Sequence, residues 1–247
     1  MAVIDPAQNA PDADERTYGR PAASLTLREF AAPLAWLAGA RHAPKLLGAP
    51  RGDGRLVVLI PGYMTGDASM RPLGGFLSAL GYRVRYSGIG VNRGDVDGYV
   101  ARLGGELGPV AQDAGGPATL IGWSLGGVIA REIARLYADD VREVVTMGTP
   151  IVGGPKYTAV GDIYARLEGL DLDDFEQEVH RRNSIGITQK ATSIYSKSDG
   201  IVDWRASVDV YNPQTKNIAV KTSHLGLGVN PKVWRIIADV LAEGRAR

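Results

Sequence analysis

The chain has 247 residues, 45% of them hydrophobic, enough to bury a sizeable core in one domain of α/β size; this excludes a disordered or fibrous protein. Its 28 Lys and Arg stand against 27 Asp and Glu, and the resulting charge of +1 gives no overall excess to draw it to nucleic acid or anionic lipid. The absence of cysteine excludes disulfides, thiolate metal sites and a cysteine nucleophile together, so covalent catalysis would need another side chain.

The N-terminal stretch MAVIDPAQNAPDADERTYGR has no basic start and no apolar run, so it does not read as a secretory leader. No later stretch stays apolar for the roughly 18 residues of a membrane span, and a cytoplasmic protein is the expectation. Residues 1–24, rich in Ala, Pro and Asp, show no periodicity and are expected to form an N-terminal arm, followed by one domain over 25–247. Thr26 and Glu29 have the spacing of a capping box, with Leu25 and Phe30 placed as a hydrophobic staple. Leu27, Phe30, Ala31, Leu34 and Ala38 then make one face of a helix that should pack on the domain.

From Arg55 onward, short apolar runs alternate with helical patterns, the pattern of a parallel sheet covered on both faces. Strands are predicted at 55–60, 82–87, 118–123, 141–147, 191–196 and 216–221, with helices at 69–80, 95–112 and 125–138. A final helix starts at Asn230 and Pro231 and buries Val233, Trp234, Ile237 and Leu241. The connection from Thr149 to Lys190 is about 40 residues long, far more than a plain crossover needs, which predicts a helical, lid-like insertion over about 151–190. Its acidic residues Asp171, Asp173, Asp174, Glu176 and Glu178 should face solvent, and Leu170, Leu172, Phe175 and Val179 should face inward; the alternative is a longer surface excursion.

Gly122-Trp123-Ser124-Leu125-Gly126 is a G-x-S-x-G sequence, weak alone but here set between the apolar run ATLIGW and the helical pattern GGVIAREIARLYA. A serine at such a strand-to-helix turn is lifted on a strained backbone, and the helix start beneath it favours developing negative charge. The bland reading is an ordinary Gly-rich turn with a capping Ser. A serine nucleophile needs a base, and of the three histidines only His224 follows the last strand, where it begins the expected loop HLGLGVNP; His42 precedes the first, and His180 lies in the long connection. The carboxylate that would hold the imidazole is Asp199, directly beyond the fifth strand where Gly200 permits a turn, with Asp203 as the rival. Asp139, Asp140 and Asp162 read as solvated helix ends. After the first strand, Pro61-Gly62-Tyr63-Met64-Thr65-Gly66 can present the Tyr63 amide, and the Leu125 amide follows the serine; the two would form an oxyanion hole.

VVLIPGYMTGD, LIGWSLGGVIARE, VVTMGTP, IYSKSDGIVDW and SHLGL together resemble an α/β-hydrolase, closest in pattern to the bacterial lipases and esterases. The resemblance implies the α/β-hydrolase fold, a triad of Ser124, Asp199 and His224, and hydrolysis of a carboxylic ester. Three dispersed histidines and no cysteine offer no metal-ligand spacing, and no cofactor is expected. The chain departs from the family pattern in two ways: Pro61 stands where many lipases have His, and two opening strands are not evident, which predicts a reduced, mostly parallel sheet of about six strands. The substrate is expected to be a small-molecule or lipid ester, with Tyr63, Met64, Trp123, Ile151, Val152, Trp204 and Leu225 as pocket walls that suit an apolar acyl group. An acyltransferase or thioesterase would use the same triad, and a silent scaffold binding an apolar ligand is the reading from a different class.

Overall fold

The structure is a computed structural model and describes residues 17–29, 46 and 48–243. Six parallel strands form one sheet: β1 (Leu56–Ile60), β2 (Arg83–Tyr86), β3 (Ala118–Trp123), β4 (Val141–Met147), β5 (Lys190–Tyr195) and β6 (Lys216–Ala219), in the order β2-β1-β3-β4-β5-β6. The predicted strands fall on these within a residue or two at each end, and the pairing is parallel throughout.

The apolar runs that identify the central strands are needed because both faces of the sheet are covered. In β1, Val57 and Leu59 join the layer built with Leu73 and Leu77 of α2 (Arg71–Leu80) and Val233, Ile237 and Leu241 of a C-terminal helix, Pro231–Glu243. Leu56, Val58 and Ile60 point the other way, into Val100, Leu103 and Leu107 of α3 (Val96–Asp113) and Ile129 and Ile133 of α4 (Leu125–Leu136). A single five-residue strand therefore holds two cores together. Among the described residues no helix is long and apolar enough to cross a membrane.

Parallel pairing brings the C-terminal ends of all six strands to one edge, and the chain reverses order between β1 and β3, where a crevice opens. The long connection after β4 crosses this edge as two helices, α5 (Gly161–Glu168) and α6 (Leu172–Ser184). Asp171 caps α6 by accepting from the Asp173 and Asp174 amides, and those three carboxylates are exposed as expected. Glu178 is half-buried, and so is Glu176, which turns inward to the Lys156 ammonium and the Tyr157 hydroxyl because these two donors stand on the preceding turn.

Three local expectations are corrected. The first helix, α1 (Ala23–Glu29), begins three residues before Thr26, whose hydroxyl donates to the Gly200 carbonyl (2.7 Å) instead of capping α1; Leu27 is exposed. A tertiary partner has displaced the local cap. Phe30, Ala31, Leu34, Ala38 and His42 lie outside the described residues, as does the arm before Thr17; Tyr18 stacks on Tyr157 and Arg20 pairs with Asp162. The segment after β6, expected as a loop, is the short helix α7 (His224–Val229), started by the Ser223 side chain accepting from the Gly226 amide and anchored by buried Leu227; the C-terminal helix is α8.

Candidate active site

Ser124 sits between β3 and α4 with φ 53° and ψ −123°, a strained conformation for a non-glycine residue, of order 1–3 kcal/mol. Backbone bonds hold it there: its amide donates to Met147 O (2.8 Å), and its carbonyl accepts from Gly127 N and the Thr149 hydroxyl, both at 2.9 Å. The flanking glycines are required by close packing. A Cβ on Gly122 would lie 2.3 Å from Gly126 O, and one on Gly126 would lie 2.2 Å from Ile60 O. The sequence motif thus encodes the contact of three backbones, β1, β3 and α4, beneath the serine.

Asp199 and His224 follow β5 and β6. Asp199, 3% exposed, accepts at Oδ1 from the Ile201 and Val202 amides (2.9 and 2.8 Å), which directs Oδ2 at His224 Nδ1, 2.7 Å away. A carboxylate can only accept in this bond, so Nδ1 carries the proton and Nε2 keeps its lone pair. Burial lowers the pKa of His224, but the charge and hydrogen bond of Asp199, with the charge of Glu29, more than offset this and hold it above its ordinary value. Asp203, the rival acid, is turned away: it caps the turn Trp204–Ser207 through the Arg205 amide and accepts from Gly19 N.

Ser124 and His224 open into one cavity of about 530 Å³ at the sheet edge. Of the expected walls, Tyr63, Met64, Trp123, Ile151 and Leu225 line it. Val152 and Trp204 do not: Val152 packs with Val202 and Ala206, and Trp204 stacks on Tyr195 with Lys197 and Arg205 over its ring. The insertion adds Val160, Tyr164, Phe175 and Val179, with Tyr164 set edge-on to Tyr63 at 5.6 Å between ring centres. Asp95, Glu132, Glu168 and Arg182 also reach the wall, polar groups that the expected apolar set did not include.

Neither the Tyr63 nor the Leu125 amide has a protein hydrogen-bond partner among the described residues, so both are available to a developing negative charge. Sequence reasoning missed the residue that holds the Tyr63 turn. Asn92, fully buried, donates from Nδ2 to Pro61 O (2.9 Å) and from its own amide to Thr65 O (2.8 Å), while its carbonyl accepts from Met64 N (2.7 Å) and its Oδ1 from Gly94 N (3.2 Å). The local sequence GVNRGD accounts only for its contact with Gly94, because Pro61, Met64 and Thr65 lie about 30 residues upstream in the chain. Asn92→Ala should leave the Pro61 carbonyl without its donor and lower stability by about 1–3 kcal/mol, read as a shifted urea midpoint. An unchanged midpoint would mean that water or a neighbour replaces the amide.

The chain matches the model of the alpha/beta hydrolase family over residues 57–243. Among solved structures it is similar to the lipase BlEst2 of Bacillus licheniformis (15% identity, 78% of this chain and 94% of that one, TM-score 0.59). It is also similar to a monoacylglycerol lipase of Paleococcus ferrophilus (16%, 79% and 96%, TM-score 0.57) and to the thioesterase domain of the curacin biosynthetic pathway (14%, 78% and 93%, TM-score 0.51). No curated protein matches. At these identities the structural likeness is one of fold alone, but the family match spans most of the chain, from the second residue of β1 through β6 and the segments that carry Asp199 and His224: the chain belongs to the alpha/beta hydrolase family.

Proposed function

We propose that the protein is a serine hydrolase of carboxylic esters, acting through an acyl-enzyme on Ser124. The observation that carries this reading is the strained Ser124 sharing a cavity with His224, whose Nδ1 is fixed 2.7 Å from a buried carboxylate. In the reaction, His224 Nε2 takes the hydroxyl proton as Ser124 Oγ attacks the ester carbonyl. Asp199 holds the tautomer and stabilises the imidazolium, while the Tyr63 and Leu125 amides receive the tetrahedral oxyanion. Collapse expels the alcohol, which takes the proton from His224; water, activated by the same imidazole, then releases the acid. The mostly apolar wall supports an apolar acyl group. A panel of p-nitrophenyl esters from acetyl to palmitoyl, with an acyl-CoA alongside, tests the reading: ester turnover is expected, turnover of the thioester alone would move the protein to the thioesterases, and no turnover of any member would remove the hydrolase reading.

The raised pKa of His224 gives a pH dependence. Protonated imidazole cannot accept the serine proton, so kcat/KM should fall as pH drops through the pKa of the free enzyme, with an acid limb above that of an ordinary imidazole. A limb at or below that position would mean that burial outweighs the two carboxylates.

The insertion supports a lid. α5 meets the Tyr63 turn through Tyr164, and α6 supplies Phe175 and Val179 to the cavity, so this segment would govern how much acyl chain fits. Replacing residues 160–183 with a short Gly-Ser linker should change the preference between long and short acyl esters more than the rate on the acetyl ester. An unchanged chain-length profile in a folded variant would make the segment packing and not a lid.

A further inference from the structure

Glu29 lies outside the family-matched residues, at the end of α1, yet its side chain is buried against the site, with 4% of the residue exposed. Oε1 accepts from the amides of Gly200 (2.9 Å) and His224 (2.7 Å), and Oε2 from the amide of Leu225 (3.0 Å). Gly200 directly follows Asp199, and His224 opens α7. One carboxylate therefore ties the backbones of the two loops whose side chains meet at the Asp199–His224 hydrogen bond. α1 is fastened to the same place: Thr26 Oγ1 donates to Gly200 O, and a Cβ on Gly200 would stand 2.3 Å from the Leu25 carbonyl. Gly200 is thus a glycine because α1 presses on it, not because its turn needs one.

A buried carboxylate is costly unless its oxygens are fully hydrogen-bonded, and three amides meet that need here. An apolar side chain would fill the space between the loops without that cost, but it would leave two buried amides and the partly buried Leu225 amide without acceptors and would place no charge beside the imidazole. The groups facing His224 are the Asp199 carboxylate in its hydrogen bond, the Glu29 carboxylate behind its backbone, and the Trp123 ring at 6.0 Å between ring centres. Burial works against a proton on the imidazole, and both carboxylates work for it.

We propose that Glu29 is a positioning residue: it fixes Asp199 and His224 relative to each other and, by its charge, favours the imidazolium that forms when His224 takes the proton of Ser124. This rests on the acyl-enzyme reading above. The test compares the full-length wild type with Glu29→Gln, which keeps the size and removes the charge, and Glu29→Asp, which keeps the charge at shorter reach. Folding is followed by circular dichroism, and hydrolysis of p-nitrophenyl butyrate by kcat, KM and the pH profile of kcat/KM.

Folded Glu29→Gln is expected to keep KM near wild type, to lose about ten- to a hundredfold in kcat, and to show its acid limb at lower pH than wild type, with Glu29→Asp recovering part of kcat. A wild-type kcat, a KM that rises in step with the fall in kcat, or an unmoved acid limb would each overturn the proposal. So would loss of folding in both variants, which would make Glu29 a residue of chain stability alone. The wild type run beside them separates the two ideas: if it hydrolyses the ester and is acylated on Ser124, the acyl-enzyme reading stands whatever the Glu29 variants do, and if it does neither, that reading fails first.

Discussion

Ser124→Ala should fold like the parent and lose ester hydrolysis, with kcat lower by about 10⁴- to 10⁶-fold. The two halves of this expectation have separate causes. The turn at Ser124 is held by its backbone, through Met147 O, Gly127 N and the Thr149 hydroxyl, and its side chain makes no capping hydrogen bond, so alanine removes no structural partner. Alanine also has the same Cβ, and so meets the same φ of 53° at similar strain. What is removed is the oxygen on which the proposed acyl-enzyme forms. Thermal unfolding and steady-state rates on one preparation check both halves; a folded variant hydrolysing at the parent rate would end the mechanism.

Asp199→Asn should cost about 10⁴-fold in kcat with the fold retained. The Ile201 and Val202 amides keep one side-chain oxygen occupied, so the amide nitrogen of asparagine would be turned toward His224 Nδ1. That nitrogen donates and cannot accept, so the imidazole must present a lone pair at Nδ1 and carry its proton at Nε2, where it blocks removal of the serine proton. Asp203→Asn is the control, since Asp203 serves the Arg205 and Gly19 amides and an asparagine oxygen can accept in its place: kcat close to the parent is expected, with little change in stability. If Asp203→Asn were the more damaging to kcat, the acid would be reassigned to it.

The sheet was legible because both its faces are buried: β1, β3 and β4 had to be written as apolar runs, and helical patterns had to separate them. Ser124 was legible for the same kind of reason, since the contact of three backbones at the turn leaves room only for Gly122 and Gly126. Chain order after the strands then isolated Asp199 and His224. Contacts made across long stretches of chain left no local trace: Glu29 reaches Gly200 across 171 residues and His224 across 195. Thr26 and Glu29 did carry a visible pattern, S/T-x-x-E, but its capping meaning gave way because the hydroxyl and the carboxylate found partners in Gly200, His224 and Leu225. The sequence predicts a loop at α7 because two of its six residues are glycines, at HLGLG, and a helix of six residues draws its stability from Ser223 and Leu227, not from propensity. Val152 and Trp204 are apolar like the other expected walls, but the chain turns each of them into a different cluster.

The most direct test of the acyl-enzyme is covalent capture. Incubating the full-length protein with a fluorophosphonate and digesting it for mass spectrometry should give one stoichiometric adduct, on the peptide containing Ser124, lost in Ser124→Ala and strongly slowed in Asp199→Asn. An unlabelled Ser124 in folded protein, or an adduct of equal yield on the Ser124→Ala protein, would contradict it.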